Sequence, residues 1–492
     1  MTVLTLIWIA FPFLVGFTIY ILPKSDRYLG LVTALASGLY TIPLFLKSEA
    51  VNLRLLDHFG VSLLVDPLTG FFILTNALVT AAVVIYCWRS DRTAFFYAQI
   101  VILHGSVNAA FACSDFISLY VALEVISIAT FLLIAYPRSD RSIWIGLRYL
   151  FTSNVAMLFY LIGAVLVYKA HHSFDFGGLR DSPPEAIALI FLGLLAKGGI
   201  FVSGLWLPLT HAESESPVSA MMSGVVVKAG VLPLVRCALL LEEIALIVRI
   251  FGVTTALLGV AFAVFEKDTK RMLAFHTISQ LGFILAAPEV GGFYALTHGL
   301  VKSSLFLIVG NLPSRSLKEL KHQPITNQLW GTLVIASFSI SGFPLLSGFG
   351  AKVLTMKNLL PWQGIGMNIA ALGTSISFAK FIFLPHGNLL EKQREEHNSL
   401  SPQGSKVQLK TEFWVAMAIL LGGLVVANVV YYEAYSLENI SKPLITIGIG
   451  WVAYFLIFRH TSIKLPVAFE DFENLIGCMV LMLIVLFWMA IS

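Results

Sequence analysis

The sequence predicts an all-α, polytopic integral membrane protein with about 14–16 transmembrane helices. The composition is the first reason: 58% of the 492 residues are hydrophobic and 12% are charged, whereas a soluble domain carries about 25% charged residues. The mean hydropathy is +0.85. Apolar runs of roughly 17–25 residues also recur from end to end, each long enough to cross about 30 Å of hydrocarbon as a helix.

About sixteen such runs are present. We place the predicted spans at residues 1–22, 29–46, 68–88, 94–112, 116–136, 143–168, 186–207, 218–241, 251–265, 272–287, 293–312, 329–356, 366–384, 413–431, 444–458 and 475–491. The polar run 385–411 predicts a cytoplasmic loop before the C-terminal helices of 412–492. The first span has no small-residue cleavage site after it, so we expect it to be retained as a helix.

Basic residues supply an independent test of this order, because Lys and Arg concentrate in cytoplasmic connections. The connections after odd-numbered spans hold about twice as many of them as the opposite set, including Lys24, Arg27, Arg138, Lys267 and Lys321. This predicts an even number of spans with both termini on the non-cytoplasmic side. The net charge of +4 follows these loops and does not indicate nucleic acid.

Two predicted spans carry helix-breaking residues at membrane depth. KGGIFVSGLWLPLTH, in the seventh, contains Gly198, Gly199 and Pro208, and SISGFPLLSGFGAK, in the twelfth, contains Gly342 and Pro344. Broken helices are tolerated in a membrane only where their backbone is buried in protein or lines a wet cavity. Because the two lie five spans apart, a second copy would be inverted, which predicts inverted five-helix repeats over 93–241 (helices 4–8) and 250–384 (helices 9–13), after N-terminal helices 1–3 in 1–92.

Ionisable side chains also fall in the middle of the predicted spans. Each would cost about 2.5–3.5 kcal/mol if it faced acyl chains, so we expect them to face one another and internal water, as in a protein that moves protons or cations. These residues are Glu124, Lys197, Lys228, Lys302 and Lys352.

Two pairs among these segments suggest particular contacts. Glu124 close to Lys197 would interact by about 4 kcal/mol at 4 Å and an effective dielectric of about 20, enough to control protonation of the amine; a static ion pair that only joins helices is the alternative. His298 and Lys302, four residues apart, share a helix face. His298 would pass protons to Lys302, or bridge to Lys228 and Lys352 through water; structural hydrogen bonding is the alternative.

Supporting positions are less specific. His276 and Gln280 have the same spacing, for which an interhelical polar contact is equally expected. His211 and Glu213 lie in WLPLTHAESESPVSA, which we interpret as a cytoplasmic turn suited to proton uptake, although exposed acidic loops are common. Arg148 is expected to compensate a carboxylate on a neighbouring helix.

Signals for other chemistry are missing from the sequence. The four cysteines are single, without a CxxC pair, which argues against zinc and iron–sulfur sites. No GxxxxGK[ST] or GxSxG motif occurs and no histidine pair fits a haem. We therefore expect no cofactor, no metal and no catalytic residue.

Five segments together resemble a known family. YVALEVISIATFLLIAYP, LLAKGGIFVSGLWLPLTHAESESPVSAMMSGVVVKAGVLPLVR, KDTKRMLAFHTISQLGFIL, THGLVKSSLFLIVG and SGFPLLSGFGAKVL are similar, in order, to diagnostic segments of the antiporter-like membrane subunits. These are chains 2, 4 and 5 of proton-pumping NADH:quinone oxidoreductase (complex I) and the A-type and D-type subunits of Mrp Na⁺/H⁺ antiporters.

The resemblance implies a fourteen-helix unit with inverted repeats and a central polar axis. It places the axis at Glu124, Lys197, Lys228, His298 and Lys302, with Lys352 at the exit. Lysine at the exit resembles the Mrp D type or complex I chain 2, since chain 4 usually has glutamate there. About two C-terminal helices lie beyond the family core, and the long lateral helix of chain 5 is missing.

The sequence therefore favours an Mrp-D-like membrane subunit that moves protons, in exchange for Na⁺ or K⁺, within a hetero-oligomeric complex. A complex I-type membrane-arm subunit of an NAD(P)H or ferredoxin:quinone oxidoreductase is the alternative, and any redox enzyme activity would then belong to partner chains. A carrier of small solutes or inorganic carbon would need a wide midplane pocket instead. A purely structural scaffold is disfavoured by the cost of the buried charges.

Overall fold

The computed structural model describes residues 2–47, 50–56, 59–387, 409–461, 463 and 466–491. Most of the predicted cytoplasmic loop 385–411, namely residues 388–408, lies outside the described residues. The helices are α1 (Thr2–Ile21), α2 (Asp26–Lys47), α3 (Pro67–Tyr86), α4 (Ala94–Ala112), α5 (Phe116–Ile134), α6 (Asp140–His171), α7 (Pro184–Gly198), α8 (Trp206–Glu213), α9 (Ser216–Met221), α10 (Lys228–Leu240), α11 (Glu242–Phe265), α12 (Thr269–Ala286), α13 (Gly291–Val309), α14 (Leu317–Leu320), α15 (Asn327–Ser341), α16 (Ser347–Lys357), α17 (Gly364–Ile382), α18 (Thr411–Val430), α19 (Leu437–Ala453) and α20 (Phe472–Ile491).

The helical pattern matches the predicted spans in position. In the described residues, fourteen helical segments are long and apolar enough to cross a membrane, and the chain is an integral, multi-pass membrane protein. The other two predicted spans correspond to α12 and to the pair α15–α16. The all-α prediction is confirmed, and the one sheet in the described residues is short: Val51–Arg54 (β1) and Ser62–Val65 (β2) form an antiparallel hairpin with Val51 opposite Val65.

The hairpin is hydrogen-bonded to the residue that caps α5. Asp115, the residue before α5, accepts hydrogen bonds from the backbone N–H of Ser118 (2.7 Å) and of Ser62 in β2 (2.7 Å). One carboxylate therefore satisfies a free donor of the helix and holds the sheet in place.

Burial identifies the centre of the bundle. In the segments 216–240 and 288–309, every residue of the most apolar 18-residue stretch is buried. In the corresponding stretches of α1 and α20, only 33% and 22% of the residues are buried. The exposed apolar residues of the outer helices form the membrane-facing surface, because lipid is the solvent that suits them. The two central segments carry Lys228, His298 and Lys302.

Both predicted helix breaks are present. The seventh span consists of α7, a 3-10 turn over Phe201–Leu205 and α8, and Gly199 ends α7 with φ +70°. The twelfth consists of α15 and α16, and Gly342 ends α15 with φ +84°. A left-handed conformation favours glycine at both positions.

The C-terminal helices pack on two different parts of the bundle. α19 contacts α17, whereas α20 contacts α7 and the 3-10 turn of the seventh span. Between α19 and α20, Glu470 accepts hydrogen bonds from both terminal nitrogens of Arg271 in α12, at 2.9 and 2.5 Å. This bidentate pair fixes the crossing segment, which is the 3-10 turn Val467–Glu470 together with Asp471, to the bundle.

Candidate functional site

Lys197 lies in the last turn of α7, immediately before the break, and is 3% exposed. Its amine donates hydrogen bonds to the hydroxyls of Ser127 in α5 and Ser153 in α6, the latter at 2.9 Å. The Tyr149 ring lies 5.8 Å from the same nitrogen. Trp206 Nε1 donates to the carbonyl of Ala196 at 3.0 Å, and the backbone N–H of Gly199 donates to the same carbonyl at 3.2 Å.

Glu124 is on the same helix as Ser127, one turn earlier, but does not form the predicted close pair with Lys197. In the described residues no carboxylate lies within 4 Å of the Lys197 amine, and Glu124 Oε1 is buried without a hydrogen-bond partner. The hydroxyls of Ser127 and Ser153 occupy the positions at the amine that the carboxylate was expected to take. A static Glu124–Lys197 ion pair is therefore not present.

Lys228 and His298 are in direct contact. The amine of Lys228 lies 3.2 Å from His298 Nδ1 and donates to the carbonyl of Ser223 at 3.1 Å. Ser223 belongs to a π-helical turn, Met222–Val226, that precedes α10. Because such a turn displaces the carbonyls from regular α-helical pairing, one of them is available to the buried amine.

Lys302 shares a helix face with His298, as predicted, but contacts a different group. Its amine donates to the carbonyl of Leu273 in α12 and lies 5.4 Å from the Phe306 ring. The direct His298–Lys302 contact is thus absent, because the partner that His298 meets across the helix interface is Lys228.

A cavity of about 10 Å³ continues from His298 towards the second broken helix. It is lined by His298, Gln280, Tyr294, Ser339 and Gly348, among others. His298 Nε2, the ring nitrogen opposite the one facing Lys228, has no protein partner. The volume is enough for about one water molecule.

Lys352 lies beyond that cavity in α16. It is 7% exposed, its amine has no hydrogen-bond partner, and it packs over Gly342 and 5.5 Å from the Phe283 ring. Further buried hydroxyls near the break are also without protein partners: Ser339, Ser341, Ser347 and Thr355. Such a concentration of polar atoms suits a hydrated region.

His276 and Gln280 separate in behaviour. Gln280 makes the predicted interhelical contacts, accepting from the Tyr294 hydroxyl at 2.6 Å and donating to Thr374 Oγ1 at 3.5 Å. Neither ring nitrogen of His276 has a partner, and its ring packs against Phe378 with centroids 4.7 Å apart. The expected polar contact therefore involves Gln280 alone.

His211 is not in an exposed turn, as the sequence suggested. It lies inside α8, is 0% exposed and stacks on Phe306 at 4.7 Å with both nitrogens unpartnered. The helix continues to Glu213, which reaches Arg141 at 3.5 Å, and the turn begins only at Ser214. Because the stretch is polar, the sequence predicts a helix end before His211, which is too early.

Arg148 is buried without the expected carboxylate contact. None of its three nitrogens has a hydrogen-bond partner, and the guanidinium lies 5.9 Å from the Trp144 ring. Glu470 and Asp471 of the crossing segment are the carboxylates whose charge reaches it. Among the described residues, the predicted contact with a carboxylate of a neighbouring helix is therefore absent.

Comparison with known proteins identifies the family. A family model described as "NADH:quinone oxidoreductase/Mrp antiporter, TM" matches residues 113–377, which include every buried amine described above. The chain belongs to this family.

Relatives of this chain include subunits of NADH-quinone oxidoreductases and of cation/proton antiporters. It is 30% identical over 365 residues to the N subunit of NADH-quinone oxidoreductase from Desulforudis audaxviator, covering 66% of this chain and 72% of the relative. It is 24% identical over 486 residues to the D subunit of a Na⁺/H⁺ antiporter from Alkalihalophilus pseudofirmus, covering 90% and 98%. A chain of the membrane-bound sulfane sulfur reductase, an archaeal respiratory membrane complex, shares the fold with a TM-score of 0.75 at 19% identity, covering 92% and 98%.

Sequence reasoning missed several polar residues of this family member. Ser127, Ser153 and Tyr149 surround Lys197, and only Ser127 had a visible signal, its position one turn from Glu124. Lys270 falls outside the predicted span 272–287, but in the structure it is 8% exposed in α12, where its amine donates to the carbonyl of Ser214 at 2.8 Å.

A further missed pair joins the antiporter-family core to its N-terminal helices. Arg236 in α10 donates to Asp66, the residue that caps α3, with NH1–Oδ2 at 3.0 Å and NH2–Oδ1 at 2.9 Å. Burial alone would raise the pKa of Asp66, but the guanidinium and the Thr69 N–H together hold that pKa below its usual value. The carboxylate is thus kept charged at the position where it caps α3.

Proposed function

We propose that this chain is the cation/proton-translocating membrane subunit of a multi-subunit assembly, and that its buried amines form the pathway. The observation that carries the proposal is the burial of four lysines, Lys197, Lys228, Lys302 and Lys352, each at most 7% exposed. Apolar residues at such places are usually neutral or stabilising by about 1–4 kcal/mol relative to buried charges. Retaining amines there is consistent with a use in transport.

The contacts suggest how a proton moves through the central segment. Protonated Lys228 donates to His298 Nδ1 across 3.2 Å, and the imidazole then releases a proton from Nε2 into the cavity that Ser339 lines. A water molecule there completes the step towards the hydroxyls around Lys352. A single transfer needs no rotation of the ring, because the two nitrogens face the two sides; the imidazole must return to its starting tautomer before the next one.

Lys197 would act as a separate protonation site on the pathway. Its serine partners hold the amine without a fixed countercharge, and Glu124 is close enough for its charge to act on the amine. A change in the Glu124–Lys197 distance then alters the charge of the amine, which matches the switch expected from the sequence.

Lys302 connects the central segment to access routes. Its charge reaches His211, His276 and His298, and His211 leads towards Ser214, where Lys270 lies. We assign proton uptake from this end to His211 as a buried relay, with Glu213 at the surface, and exit to Lys352.

The Mrp type is favoured because the Na⁺/H⁺ antiporter relative is matched over nearly its whole length. On this basis the transported ions are H⁺ and Na⁺ or K⁺, and the partners are other membrane subunits. A complex I-type membrane-arm subunit is the second candidate, favoured by the higher identity to the NADH-quinone oxidoreductase relative.

Transport in membrane vesicles containing the full assembly distinguishes the two. Addition of Na⁺ or K⁺ without an electron donor should collapse a preset pH gradient, and Lys197→Ala should abolish this while the protein remains inserted. Lys169→Ala, at an exposed lysine of α6, is the control. A pH change that requires NADH or ferredoxin would favour the second candidate, and unchanged transport by Lys197→Ala would remove Lys197 from the pathway.

A further inference from the structure

A basic cavity lies apart from the buried lysines of the proposed pathway, at the end of the bundle where α11 and α17 end. Its volume is about 190 Å³, far larger than the cavity beside His298. The chain after α19 forms one wall with a π-helical turn, Tyr454–Phe458, and the residues that follow it. The end of a membrane-spanning helix lies near the boundary between hydrocarbon and headgroups.

The lining is rich in positive charge. Five Lys and Arg side chains and one histidine contribute to it: Lys267, Lys318, Lys321, Lys380, Arg459 and His460. Among the described residues, none of these lysines and arginines has a carboxylate within 4 Å.

The one acidic lining residue does not neutralise this charge. Glu266 already accepts from Arg271 Nε at 2.9 Å and from the backbone N–H of Lys267 at 2.7 Å. Lys380 donates to the free carbonyls of Ala263 and Glu266 at the end of α11, at 3.1 and 2.9 Å. The cavity therefore holds an excess of cations that the protein does not pair.

Four aromatic rings also line the cavity. Phe265 and Phe458 have centroids 5.6 Å apart, and Phe383 and Tyr454 6.3 Å apart. Leu456, beside these rings in the chain, is 75% exposed. In the span Leu437–Phe458, only 17% of the residues in the most apolar 18-residue stretch are buried. An anion in the cavity would thus have an apolar helix face directly beside it.

We propose that this cavity binds the phosphate headgroup of an anionic phospholipid, with the acyl chains lying along the exposed face of α19. Basic pockets between membrane helices recognise such headgroups. The volume is smaller than the roughly 300–1,000 Å³ of pockets that enclose a whole small molecule, which suits a headgroup whose tails remain outside. A soluble anion would make no use of the adjoining apolar face.

Lipid binding to the full chain, purified with its co-purifying subunits, tests the proposal. Native mass spectrometry in mild detergent, with phosphatidylglycerol or phosphatidylcholine added, should show preferential retention of phosphatidylglycerol. The double variant Lys321→Gln/Arg459→Gln should weaken that binding by at least about tenfold. Both side chains are exposed, so the variant should fold normally.

The matched control removes the same charge elsewhere. Lys24→Gln/Arg138→Gln changes two exposed basic residues in connections predicted on the same side, and should leave phosphatidylglycerol retention unchanged. Equal loss in both double variants, or no loss in either, would overturn the proposal. So would competition by inorganic phosphate as tight as the lipid's own binding, which would indicate a soluble anion, or an acidic polypeptide found bound in place of lipid.

Discussion

The hydroxyl of Ser127 provides a selective perturbation of the Lys197 site, because its removal changes no charge. A hydrogen bond to a charged group contributes about 1.5–3 kcal/mol and one between neutral groups about 0.5–1.5 kcal/mol. Ser127→Ala therefore disfavours the protonated amine, relative to the neutral one, by about 1–1.5 kcal/mol. Since about 1.36 kcal/mol corresponds to one pH unit, the alkaline limit of translocation should move about one unit lower.

The assay is the rate of cation-driven pH change in vesicles, measured across the neutral range. Ser127→Ala should lose activity at its alkaline side and recover it at lower pH. Ser106→Ala is the control, because Ser106 is an equally buried serine whose hydroxyl donates only to the carbonyl of Ile102, at 2.7 Å. An unchanged pH profile for Ser127→Ala, or the same shift for Ser106→Ala, would refute the assignment of Lys197 as a titrating station.

Three further predictions concern the frame that holds the axis. In the twelfth span, Gly348→Ala should lower the melting temperature of the purified protein, because the added Cβ would collide with the carbonyl oxygen of Ser339. Gly331→Ala, whose added Cβ has nothing within 4 Å, should be neutral or stabilising by up to about 1 kcal/mol. Asp66→Asn should destabilise by about 3 kcal/mol because it leaves the Arg236 guanidinium with a neutral partner. Because the pKa of Asp66 is lowered in the folded state, its contribution is complete above the unfolded value of about 3.9 and is lost as the pH falls through the folded one, as acid unfolding of wild type and variant would measure. Glu470→Ala should cost about 3 kcal/mol and detach α20 from the seventh span, which limited proteolysis would detect as faster cleavage.

Each of these has a contrary result. Equal melting temperatures for the two glycine variants would mean that the break in the twelfth span is not closely packed. Parallel acid-unfolding curves for wild type and Asp66→Asn would remove the linkage to Arg236. Unchanged proteolysis of Glu470→Ala would show that the crossing segment is held by other contacts.

Hydropathy and glycine position were sufficient to predict the helices and both breaks. The thickness of the bilayer sets the length of an apolar span, so the spans can be recognised in the sequence. Gly199 and Gly342 both have a positive φ at the break of their helices. The hairpin of 51–65 escaped notice because two strands of four residues each leave too short an alternation to stand out between apolar spans.

The site was predictable as a set of residues but not as a set of contacts. A lysine inside an apolar span is conspicuous in the sequence because burying its charge is unfavourable, so Lys197, Lys228, Lys302 and Lys352 could be predicted. The group that each amine contacts could not be predicted, because serines and backbone carbonyls occur throughout such spans. Contact depends on how helices far apart in the chain rotate against each other, and that rotation placed Ser153, rather than Glu124, at Lys197.

Translocation by Lys228→Met, within the full assembly in vesicles, tests the pathway most directly. Methionine fills a similar volume without a charge, and replacing a fully buried amine by an apolar group is neutral or stabilising. We predict an unchanged or raised melting temperature together with complete loss of cation-driven proton movement, since His298 would lose its donor. A variant that is equally stable and translocates at the wild-type rate would contradict a pathway through the buried amines.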